Sequence, residues 1–102
     1  MAFKGLFIGI DRYTSPDVNW LNCAVRDATA LHALFEDNFA AQTTLLGDEK
    51  ATRINILSQL EELASCDRDD LVVICSSGHG TETHEPVPYD LDPSDFEALR
   101  YP

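Results

Sequence analysis

The sequence has little positive charge and no disulfide framework. Seven Lys and Arg residues stand against 18 Asp and Glu, a formal net charge of −11 over 102 residues. A chain of that balance repels nucleic acid and anionic lipid, so neither is expected as a partner. No apolar run approaches the roughly 18–20 residues of a membrane span. The opening MAFKGLFIGIDRY lacks the basic, apolar and small-residue order of a secretory signal and reads as a strand. Three cysteines, Cys23, Cys66 and Cys75, are odd in number and show no C-x-x-C pair. Reduced thiols in a cytoplasmic protein are the simplest expectation. Cys23 and Cys75 lie in apolar runs, where a free thiol packs as a small core residue. No glycine pattern marks a dinucleotide or P-loop site.

What is there is an ordinary globular composition, 44% hydrophobic and 25% charged, at a length that allows one domain over residues 1–102. Lys4–Ile10 is a short apolar strand, followed by loop signals from Thr14 to Asp17. A helix is predicted over about 21–39, with Leu21, Ala24, Val25, Ala28, Leu31, Phe35 and Phe39 on one face. Trp20 and Tyr13 are expected to pack around the loop after the first strand. Thr43–Leu46 reads as a strand closed by Gly47-Asp48. A second helix is predicted from Thr52 to about Ala64, with Thr52 as N-cap, Ile54, Leu57, Leu60, Leu63 and Ala64 inward, and Glu61 and Glu62 in water. Leu71–Cys75 is a near-continuous apolar run of the kind covered on both faces. Thr81–Pro93 reads as a loop and Ser94–Leu99 as a short helix.

The resulting β-α-β-α-β order implies a parallel sheet with right-handed crossovers and helices on both faces, an α/β fold. In such sheets ligands bind beyond the carboxyl ends of strands where the winding reverses. That places Asp11-Arg12-Tyr13 and Ser76-Ser77-Gly78-His79-Gly80 around one crevice. A histidine between two glycines stands on bare backbone that a substrate can approach closely.

The segments LFIGIDRY, LNCAVRDATALHALF, TTLLGDEKATRINIL and DDLVVICSSGHG, followed by VPYDLDP, occur in this order. Together they resemble the amino-terminal half of a caspase-like cysteine peptidase (clan CD, peptidase family C14). The greatest similarity is to bacterial caspase-like proteins and metacaspases, and it covers roughly Phe3 to Pro93. The resemblance implies a three-layer caspase-like fold, here partial, and a Cys–His dyad with His79 as the catalytic histidine. It implies that Gly80 donates its N–H to the oxyanion hole and that Ser77 lines the substrate pocket. Asp11, at the end of the first strand, joins that pocket's wall. Caspases that cleave after Asp use an Arg whose position corresponds here to Leu21, which cannot bind a carboxylate. Metacaspases place an acid at the position of Asp27 and cleave after Arg or Lys, so basic specificity is expected.

The family's nucleophilic cysteine follows the next strand in an Asp-x-Cys context, which this chain does not reach, and none of Cys23, Cys66 or Cys75 fits it. The expected function is a cysteine endopeptidase fragment, supplying the histidine and part of the specificity pocket. Alone it is expected to be inactive, whether a processed fragment, part of a longer chain or a shortened homologue. The expected partners are a peptide or protein substrate, the remaining half of the domain, and a second copy through an exposed sheet edge. The alternative is a non-catalytic caspase-like module that binds or regulates a partner.

No cofactor or metal is expected. His79 and His84, with Glu82, Glu85 and Cys75 nearby, lack the second ligand pair of a zinc site. His32 is read as a structural or surface histidine. The resemblance to metacaspases raises calcium activation, but Asp67, Asp69, Asp70, Asp90, Asp92 and Asp95 form no D-x-D-x-D-G loop and read as a solvated rim. A receiver-like domain, suggested by Asp11, is disfavoured because the third strand runs into Cys75-Ser76-Ser77 rather than an acceptor Asp.

Overall fold

A computed structural model describes residues 3–16, 18–39, 41–79 and 87–90. Three strands, β1 (Phe3–Gly9), β2 (Gln42–Gly47) and β3 (Leu71–Ser77), form one parallel sheet in the order β2-β1-β3. Two helices, α1 (Ala24–Phe39) and α2 (Arg53–Ala64), complete the three-layer α/β arrangement expected of a partial caspase-like fold. Gly9 pairs with both Gly47 and Ser77, so all three strands end at one level and deliver their loops to a common carboxyl edge. The winding reverses at β1, the middle strand, as the switch-point reading requires.

Alternation along β1 separates two cores. Leu6, Ile8 and Ile10 point to one side, where they pack with Leu46, Ala51, Ile56, Tyr13 and Val87 beneath α2. Phe7, fully buried, points to the other, with its ring 5.5 Å from Phe35 and 5.9 Å from His32 of α1. Phe3 stacks on Phe39 at 5.1 Å and extends this aromatic layer. A Cβ on Gly9 would lie 2.7 Å from both the Ala24 carbonyl oxygen and the Val25 Cα. The absence of a side chain there lets α1 cross the end of β1 in direct backbone contact.

Four expectations change in the folded chain. α1 starts at Ala24 rather than near Leu21, because the Asp11 carboxylate accepts from the amides of Ala24 at 2.7 Å and Val25 at 3.2 Å. It acts as an N-cap supplied from thirteen residues upstream. α2 is capped by Thr52 as predicted, its Oγ1 accepting from Asn55 N–H at 3.2 Å. Its buried stripe, however, is Ile56, Leu60 and Leu63, and Ile54, two residues off that stripe, is 75% exposed. Ala64 is exposed as well. On α1 only Ala24 and Ala28 are buried, and Leu31 and Phe39 reach past the sheet into solvent. β3 is not covered on both faces: it is an edge strand among the described residues, and Leu71 and Ile74 are 47% and 52% exposed. The predicted helix at Ser94–Leu99 lies outside the described residues.

Candidate active site

The loop leaving β1 is tied down residue by residue. Ile10 N–H donates to the Ser77 carbonyl at 3.0 Å, carrying the β1–β3 pairing one step past the strand. The next two amides, of Asp11 and Arg12, both donate to Asp48 Oδ1, at 2.9 and 3.1 Å. Asp48 makes that reach from a left-handed backbone, φ 43°, which Asp tolerates better than most residues. Leu21 N–H then returns to the Asp11 carbonyl at 2.8 Å, closing the loop on itself. Thr14 N–H donates to the Tyr89 carbonyl at 3.0 Å and anchors the far side.

His79 sits two residues past the end of β3, after Gly78. Its backbone N–H donates to the Tyr13 hydroxyl at 2.8 Å, and the two rings lie 5.3 Å apart at 59°. Its carbonyl accepts from Val87 N–H at 3.0 Å. Its Nε2 is 2.8 Å from the carbonyl oxygen of Asn19. A carbonyl can only accept, so Nε2 carries a proton, and in the neutral form of the ring the lone pair is on Nδ1. The backbone thereby holds the imidazole in a tautomer with a free basic nitrogen, the state a general base requires. The Tyr13 phenol has its pKa raised above the ordinary 10.0, chiefly by burial, with the His79 hydrogen bond opposing and the Asp11 and Asp48 charges adding.

The other predicted residues are distributed around this centre. Ser77 is half-buried at the end of β3, its carbonyl engaged by Ile10. Both carboxylate oxygens of Asp11 are turned onto the start of α1, so Asp11 shapes the wall through the helix it caps. Asp27 is exposed in the first turn of that helix, its amide donating to the Cys23 carbonyl at 2.9 Å. Asp11, Ser77 and His79 are thus drawn together at the carboxyl edge, with Asp27 joined to them only through α1. Gly80 lies outside the described residues, as do Glu82, His84, Glu85, Asp92 and Asp95.

Cys75 faces the same side of the sheet as its partner Phe7 and is half-buried, Cys66 follows α2, and Cys23, expected near a buried face, is exposed just before α1. Trp20 and Tyr13 lie against the loop after β1, Trp20 64% exposed and bonded to the Tyr13 carbonyl, Tyr13 buried. Among the described residues no group of three or more His, Cys, Asp or Glu is gathered as a metal site would need, and no helix is long and apolar enough to cross a membrane. The role of Asn19 was not visible in the sequence, because the group that acts is a main-chain carbonyl that every residue type carries.

The histidine beyond β3 thus meets a carbonyl from the loop after β1 at the carboxyl edge of the sheet. The caspase-domain model of peptidase family C14 matches residues 3–100. No individual curated protein matches the chain closely enough to add to that assignment. The match takes in every element of the sheet, both helices and the His79 loop, and the chain belongs to the caspase-domain family of peptidases.

Proposed function

We propose that this chain is the histidine-bearing part of a cysteine endopeptidase that cleaves after Arg or Lys. The observation that carries the reading is the 2.8 Å contact between His79 Nε2 and the Asn19 carbonyl, which leaves Nδ1 as the base. A thiol with a pKa of about 8.5 is mostly protonated at neutral pH and needs such a base. In the proposed cycle Nδ1 takes the thiol proton and the thiolate sulfur attacks the scissile carbonyl carbon. The tetrahedral oxyanion is held by the N–H groups of Gly80 and the nucleophilic cysteine. As the C–N bond breaks, the imidazolium returns its proton to the departing amine and leaves a thioester. Water, deprotonated by the same nitrogen, then releases the acid and regenerates the thiol.

Asp27 supplies the charge for a basic side chain, with Ser77 and the Asp11-capped helix start lining the approach. Its exposed carboxylate and the net charge of −11 support that assignment. The nucleophile comes from polypeptide outside these 102 residues, since Cys75 lies within the sheet and neither Cys23 nor Cys66 has the family's Asp-x-Cys context. The experiment is hydrolysis of fluorogenic peptides ending in Arg, Lys or Asp by the protein carrying that cysteine. Arg and Lys substrates should be cleaved, Asp substrates should not, and Asp27→Ala should lower turnover of the Arg peptide at least about tenfold with little change in folding. An unchanged preference in Asp27→Ala would refute the basic pocket. The 102-residue chain alone should cleave none of them.

A second reading, a non-catalytic caspase-like module, is favoured by the uncovered Leu71 and Ile74 on β3. An edge strand with exposed apolar residues can pair with a partner or a second copy. Light scattering on the 102-residue chain separates a monomer from that association.

A further inference from the structure

Two of the hydrogen bonds that hold His79 lead back to Tyr13. The first is direct: His79 N–H donates to Tyr13 Oη at 2.8 Å. The second runs through the imidazole, whose Nε2 donates to the carbonyl of Asn19 at 2.8 Å, into the next residue, Trp20. The indole Nε1 of Trp20 donates to the Tyr13 carbonyl at 3.4 Å. The circuit closes on one residue, and that residue is rigid. Tyr13 is buried, and its neighbours Asp11, Arg12 and Thr14 are each pinned by a backbone amide bond.

Trp20 is the unusual member. At 64% exposed it gains little from burial, yet it is fixed by its Nε1 bond and by the Arg12 guanidinium, 5.2 Å above its ring. An indole so placed contributes little to the core, but it orients the peptide unit whose carbonyl meets His79. Gly78 leaves room for the other contact: a Cβ there would lie 2.7 Å from Tyr13 Oη. Burial also keeps the phenol neutral through the physiological range, so its oxygen remains a stable acceptor.

We propose that Tyr13 and Trp20 are positioning residues for His79, the Tyr13 hydroxyl holding its backbone and the Trp20 indole N–H, bonded to the Tyr13 carbonyl, anchoring the peptide unit whose Asn19 carbonyl meets the His79 ring. The proposal rests on His79 being the base, as argued above, but its test does not require turnover. The 102-residue chain is studied by NMR as wild type, Tyr13→Phe and Trp20→Phe. Three quantities are read: exchange of the His79 backbone amide, the His79 ring Nε2–H signal, and exchange of the Ile10 amide, which reports the sheet through its bond to Ser77.

Tyr13→Phe keeps the buried ring and removes one acceptor. It should speed His79 amide exchange by about tenfold and leave Ile10 within about twofold. Trp20→Phe, an exposed change, should leave the His79 amide protected and weaken the ring Nε2–H signal. An unchanged His79 amide in Tyr13→Phe, or an unchanged ring in Trp20→Phe, would overturn the proposal. If Tyr13→Phe also loses Ile10 protection, Trp20→Phe decides: a selective change at the His79 ring supports the circuit, and no change or an equal loss at Ile10 refutes it. The expected NMR changes in Tyr13→Phe and Trp20→Phe beside full turnover in His79→Ala would refute the peptidase reading alone. Failed NMR predictions beside an inactive His79→Ala would refute the positioning roles alone.

Discussion

The carboxyl edge of the sheet and the outer flank of β3 are built on opposite principles. At the carboxyl edge, the amides of Ile10, Asp11, Arg12, Leu21, Ala24, Val25 and His79 all have named acceptors, and two carboxylates are devoted to holding backbone. On β3, Leu71 and Ile74 stand about half exposed on opposite faces of the strand. Directional hydrogen bonds fix atoms to within tenths of an ångström, whereas apolar contact fixes only which face is inside. The role proposed for His79 needs the first kind of constraint, and hydrogen bonds of that kind surround it.

Substitutions that load the two regions differently sharpen this contrast. The largest structural effect is expected at Gly9, where a side chain meets the backbone of Ala24 and Val25 rather than a yielding side chain. Gly9→Val should cost about 3 kcal/mol or more, or prevent folding, as read by urea denaturation. Next is Asp11→Ala, which strips two amides at the start of α1 of their acceptor and should cost about 2 kcal/mol with fraying confined to the first turn. A loss below about 0.5 kcal/mol would mean water replaces the carboxylate without penalty.

The pH effect is narrower. Tyr13 has a folded pKa above 10.0, so the unfolded chain ionises first as pH rises. Its contribution is fully present below pH 10 and is lost as pH climbs from there through the folded value. Thermal melts above pH 10 should therefore show a steeper alkaline decline in wild type than in Tyr13→Phe, and parallel curves would contradict the burial argument. The smallest effect is expected on the flank: Ile74→Thr should change monomer stability by no more than about 0.5 kcal/mol. A large loss there would show that the flank is covered and would erase the contrast.

Much of this was legible in the residues. The order of elements followed from periodicity, Thr52 from its chemistry as a cap, and the position of His79 from a Gly-flanked histidine after an apolar strand. The inward face of α2 was not, because Ile54 and Ile56 are equally apolar and only docking selects Ile56. The start of α1 was hidden for a different reason. Its cap, Asp11, lies thirteen residues away, and no local pattern reports a tertiary cap. Trp20 lies against the β1 loop as its position suggested, whereas Asn19 meets His79 through its main chain, which leaves no trace in side-chain identity.

The central claim is that His79 is the base of a Cys–His peptidase. The direct measurement is kcat/KM for an Arg-ending fluorogenic peptide in the protein carrying the nucleophile, wild type against His79→Ala, with thermal melts confirming equal folding. His79→Ala should lower kcat/KM by about a thousandfold or more at an unchanged Tm, since the thiol loses its base and the leaving amine its acid. Activity within about tenfold of wild type would contradict the assignment and remove His79 from the mechanism.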